Sequence, residues 1–170
     1  MSSYFFDKCI FLAFLFFLLG VLYSYFNFNP VFLMGSVDNE LSMIEKEHSF
    51  FIIFLNNLSV GLLLSLGGYL SGGLLTVSVL FWNGFVLTEI ILTSMTLEIG
   101  GYFILYSLIF HAPLEIYSFL LFSSIGMKGF RIIKKIILNK DLNSMSFPKY
   151  KQFIPPLIIL FISAIIESNL

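Results

Sequence analysis

The sequence predicts an all-α, polytopic membrane protein: a single domain over residues 1–170 built as a bundle of about five transmembrane helices, N-terminus cytoplasmic and C-terminus extracytoplasmic. Three observations predict it. Hydrophobic residues make up 58% of the chain against 11% charged, with 22 phenylalanines, more apolar surface than a soluble domain of 170 residues can bury. A hydrocarbon core about 30 Å thick needs about 20 helical residues at about 1.5 Å each, and apolar windows of that length occur five times along the chain. The basic residues crowd the segments that a five-span count puts on one side. The net charge of −1 says little beside that distribution.

The first span covers 9–26. Lys8 and the apolar run after it mimic a secretory signal, but the run is too long and "YSYFNFNP" offers no small-residue cleavage site, so a retained span is expected. The uncharged stretch 49–88 is long enough for two spans and divides at "GGYLSGG" (67–73), whose glycines supply the backbone angles of a tight hairpin. Spans two and three are therefore placed at 49–68 and 73–95. The fourth covers 101–125, and the fifth 153–167, with Pro155 and Pro156 in the first turn, where missing amide donors cost least.

With the N-terminus inside, Lys8, Lys128, Arg131, Lys134, Lys135, Lys140, Lys149 and Lys151 all face the cytoplasm, and of the nine basic residues only Lys46 lies outside. The outer loop 27–48 is acidic, with Asp38, Glu40, Glu45 and Glu47. Ser42 and Glu45 have capping-box spacing, which predicts a short surface helix with a solvated face; a catalytic carboxylate pair is the alternative. The cytoplasmic segment 127–152 is basic and amphipathic: Phe130, Ile133 and Ile137 share one side of a helix, with Ile132 and Ile136 beside them, opposite the cations. Such a helix lies on a membrane surface, with Lys128, Arg131, Lys134 and Lys135 toward anionic lipid of the inner leaflet; docking of a cytosolic partner is the alternative.

Polar groups within spans are costly and mark the candidate site: Asn56 and Asn57 in span two, Asn83 and Glu89 in span three, His111 and Glu115 in span four. Counted from the predicted ends, Asn83 and His111 both lie about 15 Å deep, and a spacing of four puts Glu115 on the face of His111. Pro113 frees the carbonyl of Ile109 and predicts a kink near midspan. An imidazole, a carboxyl group and a bend together suit an ion path, a proton relay or a helix-contact site; the plainer use is a polar clamp fixing helix register. Gly61, Ser65, Gly68 and Gly72 form a small-residue strip for close packing, within the monomer or at a homodimer seam.

No cofactor and no metal site are expected. Zinc needs three or four protein ligands, and the only other histidine, His48, is predicted at the outer edge of span two, far in depth from His111. The single cysteine, Cys9, excludes an internal disulfide and a thiolate cluster. There is no HExxH pair, GxSxG elbow or P-loop. The expected partners are the lipid bilayer, other membrane or secreted proteins or peptides, and a second copy of the chain, with no nucleic acid.

The order Asn56-Asn57, Asn83-Gly84, His111 with Glu115, then Gly126 before a basic segment resembles the stage II sporulation protein M family over residues 50–135. The family's fourth-span motif usually reads Pro-His-Gly-x-x-Glu. Here it reads Phe110-His111-Ala112-Pro113-Leu114-Glu115: histidine and glutamate keep their spacing, while the proline has moved and alanine replaces glycine. The resemblance implies a polytopic membrane protein working within a complex, either with peptidoglycan-degrading partners during engulfment or, as in compact members encoded beside circular bacteriocins, in peptide maturation, export or self-protection. A compact chain without a large outer domain suits the second. The expected role is a non-enzymatic membrane subunit; an ion-coupled transporter or exporter subunit is the alternative, and an intramembrane peptide-processing enzyme lacks a candidate nucleophile.

Overall fold

The computed structural model describes residues 3–28, 50–96, 101–138 and 147–170, and no strand occurs among them. The outer-loop residues Asp38, Glu40, Ser42, Glu45, Lys46, Glu47 and His48 lie outside the described residues, as does Lys140. Six helices follow in order: α1 (Ser3–Asn27); α2 (Phe50–Leu62, continued by a π-helical turn Leu63–Gly67 and a last turn Gly68–Leu70); α3 (Leu74–Thr96); α4 (Gly101–Gly126); α5 (Gly129–Ile137); and α6 (Ile154–Ser168), entered through a 3-10 turn at Tyr150–Gln152. Five helical stretches are long and apolar enough to cross a membrane: Lys8–Asn27, Phe50–Leu70, Leu74–Thr96, Gly101–Ile137, which runs through α4 into α5, and Tyr150–Ser168, which joins the 3-10 turn to α6. Large apolar side chains such as Phe11, Phe26, Phe51, Leu70, Leu74, Tyr102 and Phe103 stand more than half exposed around the bundle, as expected of helices that are hydrophobic on every side.

The hairpin falls where the glycines placed it, but only the second pair makes it. Gly67 and Gly68 are helical, whereas Gly72 (φ 66°) and Gly73 (φ 93°) take the left-handed angles that turn the chain from α2 into α3.

Two helix pairs carry most of the packing. The parallel pair α1 and α3 meets at Gly20 and Gly84: a Cβ on Gly20 would strike the Phe81 carbonyl, and one on Gly84 the Phe17 carbonyl. Gly20-xxx-Ser24 and Gly84-xxx-Thr88 are small-xxx-small pairs, the pattern that lets helix backbones touch. The antiparallel pair α4 and α6 is stitched by hydroxyl bonds: Ser118 Oγ donates to Pro156 O at 2.8 Å and Ser163 Oγ to His111 O at 3.0 Å. Every residue of α4 from Ser118 through Gly126, and Met127 after it, is buried, which makes this half of α4 the axis of the bundle. Its Phe122 is fully buried, and around it lie the fully buried Leu64, Leu80 and Leu160.

The strip Gly61, Ser65, Gly68 and Gly72 is used within the monomer. Gly61 sits under the Phe122 ring, Gly68 against Thr76 and Gly126, and Gly72 under Ile133 of α5. Ser65 turns its hydroxyl back onto Gly61 O at 2.8 Å. The π-turn shifts the hydrogen-bond ladder of α2, and the Leu64 carbonyl accepts a bond from Thr76 Oγ1 at 2.8 Å. A Cβ at Gly126 would collide with both of those oxygens. Helix α4 runs unbroken through Pro113, which is itself exposed. The hydroxyl that reaches this part of α4 goes to the carbonyl of His111, while Ile109 stands 69% exposed.

Candidate functional site

Apolar helices leave few places for polar side chains, and four of those present converge on one wall of the bundle. His111 and Glu115 are one turn apart on α4, so they share a face. The Nδ2 amide of Asn57, from α2, donates to Glu115 Oε1. From the last turn of α6, Glu167 brings Oε2 to 4.0 Å from His111 Nε2, longer than a hydrogen bond. One ligand-type atom from each of His111, Glu115 and Glu167 lies within 4.8 Å of the others.

These groups border a cavity of about 260 Å³, also lined by Asn83 and by apolar side chains that include Phe17, Leu87 and Phe119. His111 is 7% exposed, and its Nδ1 is buried with no hydrogen-bond partner. No lysine or arginine is among the described residues that line the cavity. The height of the site is set by the two serine bonds between α4 and α6, because Ser163 holds the backbone of His111 itself and lies one turn from Glu167 on the same face of α6.

The six polar residues singled out in the sequence do not form one group. Asn57, His111 and Glu115 belong together, and Asn83 joins them at the cavity wall while donating its amide to Val79 O at 2.7 Å. Glu89 belongs to a separate pair: it accepts a bond from the fully buried Ser24 at 2.7 Å, between α3 and α1. Asn56 is exposed and lines neither site, since neighbouring residues on a helix point about 100° apart. Glu167, at the end of the fifth span, is not among those six. Its spacing of four from Ser163 was the available signal. His48 is the only other histidine in the sequence, and a third ligand-type group beside His111 and Glu115 comes instead from Glu167.

At the opposite end of the bundle, Lys128 departs from the lipid-facing group in which the sequence placed it. It is half-buried, and its Nζ donates to Gln152 Oε1, tying the start of α5 to the turn before α6. Arg131 and Lys134 are exposed and Lys135 is half-buried, next to an exposed apolar run of Phe130, Ile136 and Ile137.

Comparison with curated proteins gives no match, and neither does comparison with solved structures. The model of the family described as stage II sporulation protein M matches residues 11–170. That range extends the resemblance beyond 50–135 at both ends and takes in the whole cluster from Asn57 to Glu167. Five apolar helices and a family match over nearly the full chain lead to one conclusion: the chain belongs to the stage II sporulation protein M family.

Proposed function

We propose that this protein is a non-enzymatic, multi-pass subunit of a membrane complex, threaded with its N-terminus and the segment 127–152 in the cytoplasm and residue 170 outside. The complex serves the maturation, export or self-protection of a secreted peptide such as a circular bacteriocin. The observation that carries this reading is the convergence of Asn57, His111, Glu115 and Glu167 from three helices, with no serine, threonine, cysteine or lysine among the described residues that line the cavity to serve as a nucleophile. Polar bonds of this kind between apolar helices contribute about 0.6 kcal/mol each and hold the bundle in one register. A fixed register presents a constant outer surface to a partner.

The threading draws support from the gathering of basic segments at one end. Lys8 borders the same groove as Gly72, Met127 and Phe130, and Lys128 meets Gln152, so the cations near both ends of the chain share a face. Between spans, this threading leaves only 28–49 and 97–100 outside, which favours a peptide over a large wall-degrading enzyme as the partner.

Two experiments test the proposal. Glu115→Gln keeps the shape and hydrogen-bonding capacity of the side chain and is expected to be mild, whereas Glu115→Leu leaves the Asn57 amide without its acceptor and lowers expression and partner recovery. Complete loss of activity with normal assembly in both variants counts against a scaffold. Tags placed after residue 140 and after Leu170 should report opposite compartments, and the same compartment would overturn the threading.

The cavity itself favours a second reading, an ion-coupled transporter or exporter subunit, because two carboxyl groups and an imidazole border a space able to hold water or an ion. In that case Glu115→Gln abolishes flux in reconstituted vesicles while the protein stays folded, and unchanged flux removes it.

A further inference from the structure

We infer that His111, Glu115 and Glu167 form a binding site for one divalent first-row metal ion, with zinc the best match, clamped between α4 and α6. The inference rests on the membrane-subunit reading above but not on the peptide-handling role.

The donor set comes first. One imidazole and two carboxylates are borderline ligands suited to zinc and its neighbours, and the i, i+4 pair on α4 is a spacing that lets one helix offer two ligands to one ion. The three donor atoms lie within 4.8 Å of one another. Zinc bonds of about 2.1 Å in a tetrahedron put donors about 3.4 Å apart, so about an ångström of side-chain rotation closes the site. The remaining coordination position faces the cavity of about 260 Å³, which has room for a water molecule or a ligand atom.

The second observation is independent of the carboxylates. His111 is 7% exposed, it borders the cavity, and its Nδ1 is buried without a hydrogen-bond partner, while Nε2 stands 4.0 Å from the nearest Glu167 oxygen. A buried polar atom left in that state costs about 1–3 kcal/mol. Either ring nitrogen can serve as the ligand, and a metal ion held at Nδ1 would supply the partner that this atom lacks.

Charge supplies the third. A neutral imidazole, two carboxylates and a divalent cation sum to zero, and an apolar bundle strongly disfavours any net charge. Among the described residues, no lysine or arginine lines the cavity to do the same. Asn57 completes the arrangement as an outer-shell partner: by donating to Glu115 Oε1 it fixes that carboxylate and leaves Oε2 for the ion. The ion would join the middle of α4 to the last turn of α6, a cross-link beside the one made by Ser163.

The test uses the full chain purified in detergent, stripped with a chelator, reloaded with zinc or cobalt and checked for monodispersity. Elemental analysis should find one zinc per chain, and the cobalt form should show visible ligand-field bands. Glu167→Gln and His111→Asn should lose stoichiometric binding, and Asn57→Ala should bind about tenfold more weakly. Glu89→Gln, at the separate Ser24 pair, should bind as the parent does. The site is overturned if the folded parent takes up no stoichiometric zinc, or if Glu167→Gln and His111→Asn bind like the parent. Should a variant fail to fold, the parent's cobalt spectrum decides, because imidazole and carboxylate ligation is present in it or is not. Zinc binding by a chain that plays no part in peptide handling would leave this site standing and sink only the biological role.

Discussion

The hydroxyl of Ser163 donates to the carbonyl oxygen of His111 at 3.0 Å, and seven residues along each helix the bond is returned, from Ser118 of α4 to the Pro156 carbonyl of α6 at 2.8 Å. Seven residues are close to two helical turns, so an antiparallel pair brings the same faces together at both positions. A helical carbonyl keeps a second lone pair for such a bond. The register so fixed brings the end of α6 level with the middle of α4, and this is why Glu167 meets His111.

Ser118→Ala and Ser163→Ala should each lower stability by about 0.6 kcal/mol, with about 1.7 kcal/mol as the upper range for such bonds. The two sites are about 10 Å apart along the helix, so the double variant should lose the sum within about 0.5 kcal/mol. Unfolding in mixed detergent micelles measures all three. Strong coupling between the sites would mean that the bonds do not act independently.

Gly84→Ala places a methyl group on the Phe17 carbonyl, where two backbones touch and neither can give way. It should cost about 1–3 kcal/mol, as overpacking does, and loosen the Ser24 bond to Glu89 one turn farther on. Gly67→Ala is the contrast. Its methyl group meets only the flexible end of Leu63 at 3.1 Å and Leu75 at 3.3 Å, so near-neutral stability is expected. Equal losses in the two variants would show that the α1 and α3 contact is not the close one described.

Gly72→Ala combines two costs: a left-handed φ of 66°, and a methyl group driven into Ile133. The backbone part should be about 1–2 kcal/mol. Ile133→Ala in the same chain should recover the steric part and leave the backbone part. A double-mutant cycle separates them, and the absence of any recovery would mean that α5 does not rest on the hairpin.

Phe130 is 62% exposed and Ile137 is 73% exposed on a helix that also carries the exposed Arg131 and Lys134. If this face enters the headgroup boundary, Phe130→Trp in a Trp82→Phe background should be quenched by lipids brominated on the upper acyl chain. Emission of a water-exposed indole without quenching would instead point to a cytosolic partner on this face.

Much of this protein was legible in one dimension. The spans at 49–68 and 73–95 appear as Phe50–Leu70 and Leu74–Thr96, because apolar length is a local property that sums along the chain. The pairing of His111 with Glu115 was legible for a similar reason, since a spacing of four fixes a shared face whatever surrounds the helix. Asn56 and Asn57 mark where that logic stops. They are adjacent and chemically identical, yet one is exposed and the other donates to Glu115. The seam at Gly20 and Gly84 was visible in principle as two small-xxx-small pairs, but nothing local says that those pairs face each other.

By itself, then, the amino-acid order determined which segments are apolar helices, where the hairpin turns and which side chains are too polar for their setting. The tertiary structure alone decided the company they keep: Glu89 with Ser24, and Glu167 with His111. Depth counted from predicted ends assumes that each span starts at the same plane. α6 is only 15 residues long, and its end meets α4 near the eleventh residue of that helix. Hydrophobicity accumulates residue by residue, whereas a contact depends on the rotation and height of two helices at once, and those are set by close-packed glycines and serine bonds that act between segments far apart in the chain.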